Sequence, residues 1–156
     1  MRRLAKFLAT VGGVGYCPVA PGTAGSLVGL LVGWVASSPV SALVRVGGVV
    51  VGTWLAIAVS TRTERELGRL DPPVVVIDEL VGMWLVLALL PFVRQSVWLM
   101  VAAFGLFRVF DIVKPFPLKA LARLPGGWGI VCDDVGASLY TCLLIWLSHR
   151  LVSSGL

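Results

Sequence analysis

Charge is scarce in this chain. Of its 156 residues, 13% are Asp, Glu, Lys or Arg and 58% are hydrophobic, whereas soluble domains carry about 25% charge. That deficit excludes an ordinary water-facing surface and points to an integral membrane protein with several spans. Histidine occurs once, as His149 in Leu147-Ser-His-Arg150. A lone peripheral histidine supports neither a histidine-based zinc centre nor a histidine nucleophile. The three cysteines, Cys17, Cys132 and Cys142, form no CxxC pair and no disulfide framework, and read as small apolar fillers. There is no Lys/Arg-rich block interleaved with aromatics, so nucleic acid is not an expected partner. The net charge of +5 is instead spread along the chain, which suits an anionic bilayer surface or a phosphorylated lipid. The apolar stretch behind Arg2, Arg3 and Lys6 is too short for a signal-peptide core, and the N-terminus is expected to be mature and cytoplasmic. Internal repeats and low-complexity tracts are also missing.

What the chain does have is five hydrophobic segments: Ser26 to Ser38, Val46 to Ser60, Leu80 to Phe92, Val97 to Val113 and Val135 to Leu147. Several fall short of the roughly 20 residues a helix needs to cross a bilayer, and the first has the length of a re-entrant segment. The connections alternate in basic content. Arg2, Arg3 and Lys6, then Arg62, Arg65 and Arg69, then Lys114, Lys119 and Arg123 are heavy; Arg45, Arg94 and Arg150 are light. The positive-inside rule turns this alternation into five crossings with the N-terminus in and the C-terminus out. The expected architecture is all-α, an integral membrane bundle of about five helices forming one domain over 1–156.

On that topology four polar motifs reach one membrane face. Asp78-Glu79 follows Val74-Val-Val-Ile77 and opens the third segment; Asp133-Asp134 follows a Gly-rich stretch, Gly126-Gly-Trp-Gly129, and leads into the fifth. Adjacent carboxylates repel and are unfavourable to desolvate. A helix N-terminus favours one acid by only about 0.3–1 kcal/mol, too little to explain two doublets in so apolar a chain. A divalent cation would hold them. Arg108, Asp111 and Lys114 recur at i, i+3 and i+6, one slanted stripe if helical. A self-paired snorkelling cluster would give the same pattern, but the nearby acids favour an anion clamp in which Arg108 and Lys114 bind phosphate oxygens and Asp111 binds metal or orients Arg108. Pro18 to Ser26 reads as a small-residue loop before a helix, with Thr23 and Ser26 able either to cap it or to cup a phosphate. No Lys follows its glycines, so it is not a P-loop.

Taken together, Pro21-Gly-Thr-Ala-Gly-Ser26, Asp71-Pro72, Val76-Ile-Asp-Glu79 with Gly82, Phe107-Arg-Val-Phe-Asp-Ile-Val-Lys-Pro-Phe-Pro117, and Gly126-Gly-Trp-Gly-Ile130 with Asp133-Asp134 resemble the phosphatidylglycerophosphatase A family. The resemblance covers roughly Gly12 to Leu147. One departure is visible: Ala137-Ser138 stands where the family tends to have Ala-Gly. The resemblance implies a Mg2+-dependent hydrolase that converts phosphatidylglycerophosphate to phosphatidylglycerol and phosphate at the cytoplasmic face of a bacterial inner membrane. On that reading Asp78, Glu79, Asp111, Asp133 and Asp134 hold Mg2+, Arg108 and Lys114 clamp the phosphate with help from Thr23 and Ser26, and the nucleophile is water or an aspartate. The main rival is a small cation- or proton-coupled carrier, which also uses intramembrane acids with a partner arginine. Phosphotransfer onto nucleotide-activated lipids ranks lower, because its spaced Asp-Gly and Ala-Arg pattern is missing.

Overall fold

A computed structural model describes residues 2–36 and 40–154. Seven α-helices follow in order: α1 (Arg2–Ala9), α2 (Pro21–Ala36), α3 (Ala42–Leu67), α4 (Ile77–Leu89), α5 (Val97–Val113), α6 (Leu118–Leu121) and α7 (Gly127–Ser153). No strand occurs among the described residues. The five hydrophobic segments become α2, α3, α4, α5 and α7, which confirms the all-α expectation. The far end of the first segment, Ser37-Ser38, lies outside the described residues.

Helix ends differ from the ends of the apolar runs for local reasons. α5 covers the expected residues and stops before Pro115, with Lys114 at φ 47°. A residue preceding proline is pushed out of the α region. The helical stripe of three therefore breaks: Arg108 and Asp111 are helical neighbours, whereas Lys114 caps the helix end. α3 continues past Ser60, where Arg62 Nε sits 3.1 Å from Glu66 Oε1 at i,i+4. It ends at Gly68, whose positive φ of 63° lets its N–H donate to Glu64 O. α7 begins at Gly127, so Asp133-Asp134 occupies its second turn rather than its first residues. Pro21 to Ser26 is likewise helical, not a loop; proline suits a first helical position.

Small residues let α2 lie against α4. A Cβ added at Gly25 would stand 2.8 Å from Val76 O, at Gly29 2.4 Å from Leu80 O, and at Gly33 3.1 Å from Leu87 Cβ. This i,i+4 glycine stripe is the close-approach geometry that binds helices where burial from water supplies little drive. α4 is the central helix, with Val81, Met83, Val86 and Leu87 buried between α2, α3 and α7. Outward, Leu31, Val51, Trp54, Ile112 and Leu143 are exposed, a surface suited to lipid. α3 and α7 are long and apolar enough to cross a membrane, and α2 is apolar but shorter. Both features fit a membrane protein.

Successive long helices run in opposite directions. The starts of α2, α4 and α7 meet the ends of α3 and α5: Arg108 near the end of α5 contacts Ser26 and Glu79, and Gly127 N donates to Thr61 Oγ1 at 2.9 Å. At the other end Arg45 Nε donates to Ala88 O at 3.5 Å, and Phe92 stacks on His149 at 4.4 Å. One end of the bundle thus collects the polar motifs.

Candidate active site

The first turn of α4 places Asp78 and Glu79, the second turn of α7 places Asp133 and Asp134, and the last turns of α5 place Arg108 and Asp111. All six, together with Lys114, line a cavity of about 280 Å³ whose rim also includes Gly22, Asp71 and Ile130. Asp133 and Asp134 are 3% and 2% exposed, and Asp78 is buried. Carboxylate oxygens of Asp78, Glu79 and Asp134 all lie within 4.8 Å of one another, and so do those of Asp111, Asp133 and Asp134. Asp134 belongs to both groups and joins them.

Cations of the chain neutralise part of this charge. Arg108 Nη1 lies 2.7 Å from Asp111 Oδ2 and 3.9 Å from Glu79 Oε1, and donates to Ser26 Oγ at 3.3 Å. The Ser26 hydroxyl in turn donates to Gly22 O at 2.8 Å. Lys114 Nζ pairs with Asp133 Oδ2. Burial pulls the Lys114 ammonium down, but the hydrogen bond and charge of Asp133, with Asp111 and Asp134 behind it, outweigh that and hold it above the usual lysine value. Two chain cations against five carboxylates leave the cluster short of positive charge. Asp78 Oδ1, Glu79 Oε2, Asp133 Oδ1 and Asp134 Oδ2 are buried without a hydrogen-bond partner, as is the Arg108 Nε–H. Orphaned buried oxygens of this kind are unfavourable unless something outside the chain meets them.

Seven of the nine residues expected from the sequence meet at this cavity. Ser26 is tied to it through Arg108 rather than lining it, and Thr23 lies in the first turn of α2 outside the lining. The glycines before Asp133 are used differently from the expected close approach to a ligand. A Cβ at Gly127 would stand 2.2 Å from Ile57 O, and one at Gly129 2.3 Å from Leu124 O. They let α7 start against α3 and the 122–124 turn. Gly22 does face the site, where a Cβ would come within 2.2 Å of Glu79 Oε1.

Two residues escaped the sequence reading of the site. Asp71, with φ 45°, sits on the cavity rim; its position seven residues before Asp78 was the available signal. Ser138 is fully buried, and its hydroxyl lies 2.8 Å from Gly82 O and 2.7 Å from Asp134 O. That hydroxyl ties α7 to α4 one turn below the two acidic doublets.

Comparison with known proteins identifies the family. The family model described as phosphatidylglycerophosphatase A matches residues 7–149. A Bacteroides thetaiotaomicron protein provisionally named phosphatidylinositol-3-phosphatase is 39% identical over 145 residues, covering 90% of each chain. A Haemophilus influenzae protein named phosphatidylglycerophosphatase A is 36% identical over 86% of this chain and 82% of its own. An Escherichia coli protein of the same name is 33% identical over 88% of this chain and 80% of its own. No solved structure matches the chain significantly.

Proposed function

The chain belongs to the phosphatidylglycerophosphatase A family, and on that premise we propose that it hydrolyses phosphatidylglycerophosphate to phosphatidylglycerol and inorganic phosphate, using Mg2+ held by its carboxylates. The observation that carries this reading is the set of four buried, partnerless carboxylate oxygens on residues that line one cavity together with an arginine whose Nε–H also lacks a partner. An all-oxygen donor set fits magnesium, which prefers carboxylates, water and substrate phosphate to nitrogen or sulfur ligands. Asp78, Glu79 and Asp134 would hold one ion, and Asp111, Asp133 and Asp134 are placed to hold a second. Bound there, Mg2+ supplies charge neutralisation for the phosphate oxygens and Lewis acidity at phosphorus.

The chain's own groups do the rest. Arg108, which lines the cavity and whose Nε–H has no partner in the chain, would donate to a phosphate oxygen, while its Nη1 stays anchored on Asp111 and Ser26. Lys114, held by Asp133, adds a second positive charge to the cavity lining. Hydrolysis breaks the bond between phosphorus and the polyol oxygen. Water supplies the new phosphate oxygen, and a proton goes to the departing hydroxyl. The attack comes directly from water activated by a cavity carboxylate, or in two stages through an aspartyl phosphate; acid quenching with labelled substrate separates them, since only the second leaves phosphate on the protein.

The site lies at the end of the bundle, where a headgroup reaches it while the acyl chains remain in the bilayer. Arg62, Arg65, Arg69, Lys119 and Arg123 crowd this end and Arg45, Arg94 and Arg150 are the basic residues near the other, which supports a multi-pass chain in a bacterial inner membrane with the site cytoplasmic. A carrier would hold its acids near mid-bundle, and these stand at one end.

Purified protein in detergent should release phosphate from phosphatidylglycerophosphate with Mg2+, stop with chelator and recover when Mg2+ is restored. Release that ignores the chelator overturns the metal; no release under any condition overturns the activity.

A further inference from the structure

A second cavity, of about 360 Å³, adjoins the catalytic one. It is bounded by Glu64 at the end of α3, by Asp71, by Arg123 and Gly126 in the turn before α7, and by Ile130 and Asp133 on α7. Asp71, Ile130 and Asp133 line both cavities, so the two share a wall. Neither the apolar crevice at Leu8, Leu55, Leu80 and Trp84 nor the open one at Arg62 and Arg65 shares a wall with the catalytic cavity.

The chemistry of the second cavity differs from that of the first. Apart from Asp133, which is paired with Lys114, its charged side chains Glu64, Asp71 and Arg123 have no side-chain ion pair or hydrogen bond among the described residues. Glu64 is half-buried, and Asp71 and Arg123 are exposed. Carboxylates accept hydrogen bonds from hydroxyl groups, and a guanidinium without a carboxylate partner suits an anion. The backbone supports the placement. Asp71 is held at φ 45°, a region that Asp tolerates better than most residues. The turn it belongs to is fixed by Val76 N donating to Ala9 O at 3.0 Å.

We infer that this second cavity binds the polyol bridge of the lipid headgroup, with Asp71 accepting from the single free hydroxyl of a glycerol bridge, Glu64 from a further hydroxyl where the bridge is inositol, and Arg123 meeting the phosphodiester beyond. The inference rests on the phosphatase reading above. A headgroup of this class runs in fixed order from phosphomonoester through polyol to phosphodiester. With the monoester among the carboxylates and Arg108, the bridge passes Asp71, which lines both cavities. The site then discriminates by hydroxyl contacts, and relatives that carry different lipid names, a glycerol-bridged and an inositol-bridged phosphate, would diverge here rather than at the metal.

The test compares phosphate release by the full chain in detergent with Mg2+ from three short-chain lipids: phosphatidylglycerophosphate, phosphatidylinositol 3-phosphate and phosphatidic acid, which has no polyol. Wild type should favour one polyol-bridged lipid over phosphatidic acid in kcat/KM, and which one wins identifies the polyol. Arg123→Ala, and Glu64→Gln where the inositol lipid wins, should each lower that preference about tenfold, the scale of one lost polar contact. Inhibition by the deacylated headgroup glycerophosphoglycerol (its inositol counterpart if that lipid wins) should weaken in parallel. Equal turnover of all three lipids, or a preference and inhibition constant that both variants leave unchanged, overturns the second cavity while leaving the phosphatase reading intact. No release from any lipid removes the phosphatase reading and this inference with it.

Discussion

The two ends of the bundle carry opposite kinds of polarity. All eight acidic residues of the chain stand at the end where α2, α4 and α7 begin. The other end holds Arg45, Arg94, His149 and Arg150 and no acid. There the polar groups are settled within the chain: Arg45 donates to Val40 O at 2.8 Å and to Ala88 O in the last turn of α4, and Arg150 lies over the Trp146 ring at 5.3 Å. These are interface anchors and helix caps. At the acidic end, four carboxylate oxygens remain buried and unmet. The contrast separates polarity that finishes a fold from polarity left unfinished for a ligand. Residues of the second kind destabilise the empty protein, and removal of one should show it.

Replacing the residue shared by both carboxylate groups breaks the contrast hardest. Asp134→Asn should lower phosphate release at least about a thousandfold, as expected when a developing charge loses its fixed counter-charge. The same variant, assayed without metal, should melt about 2–4 °C higher, equivalent to about 1 kcal/mol for a chain this size. Loss of activity with a lower melting point would mark Asp134 as a structural residue instead. Arg108→Gln should cost about a hundredfold in kcat, the loss of one phosphate donor; a change confined to KM would mean that Arg108 only gathers substrate. Ser138→Ala removes one buried donor and should reduce stability by about 1 kcal/mol with activity within about fivefold, measured by thermal melting beside turnover. At the far end, Arg45→Ala and His149→Ala should leave phosphate release within about twofold of wild type, as exposed interface substitutions generally do. A tenfold loss at either would erase the difference between the ends.

Hydropathy and charge made much of this legible. The five helices and their alternation follow from apolar runs separated by basic connections, because lipid selects for exactly those features at each crossing. The acidic doublets stood out because nothing apolar tolerates them alone. Helix ends were less legible. α3 and α7 extend into charged or glycine-rich sequence where i,i+4 pairing and close packing, not hydropathy, keep the helix going. Asp71 was hidden for a different reason. It lies in an irregular turn whose path depends on the Val76–Ala9 hydrogen bond and on Gly15 packed under Val74, long-range contacts that no local pattern encodes. Thr23 resembled a phosphate ligand in sequence, yet the helix that begins at Pro21 carries it away from the cavity lining.

Cation binding tests the central claim most directly. Mn2+ titrated into the purified chain and followed by electron paramagnetic resonance serves as the probe, since it shares magnesium's preference for oxygen ligands. Saturable binding that Mg2+ displaces, and that Asp134→Asn abolishes, is the result expected from a carboxylate cluster left open at one end of the bundle. Wild-type protein that binds no Mn2+, or a variant that binds it as well as wild type, would contradict the account.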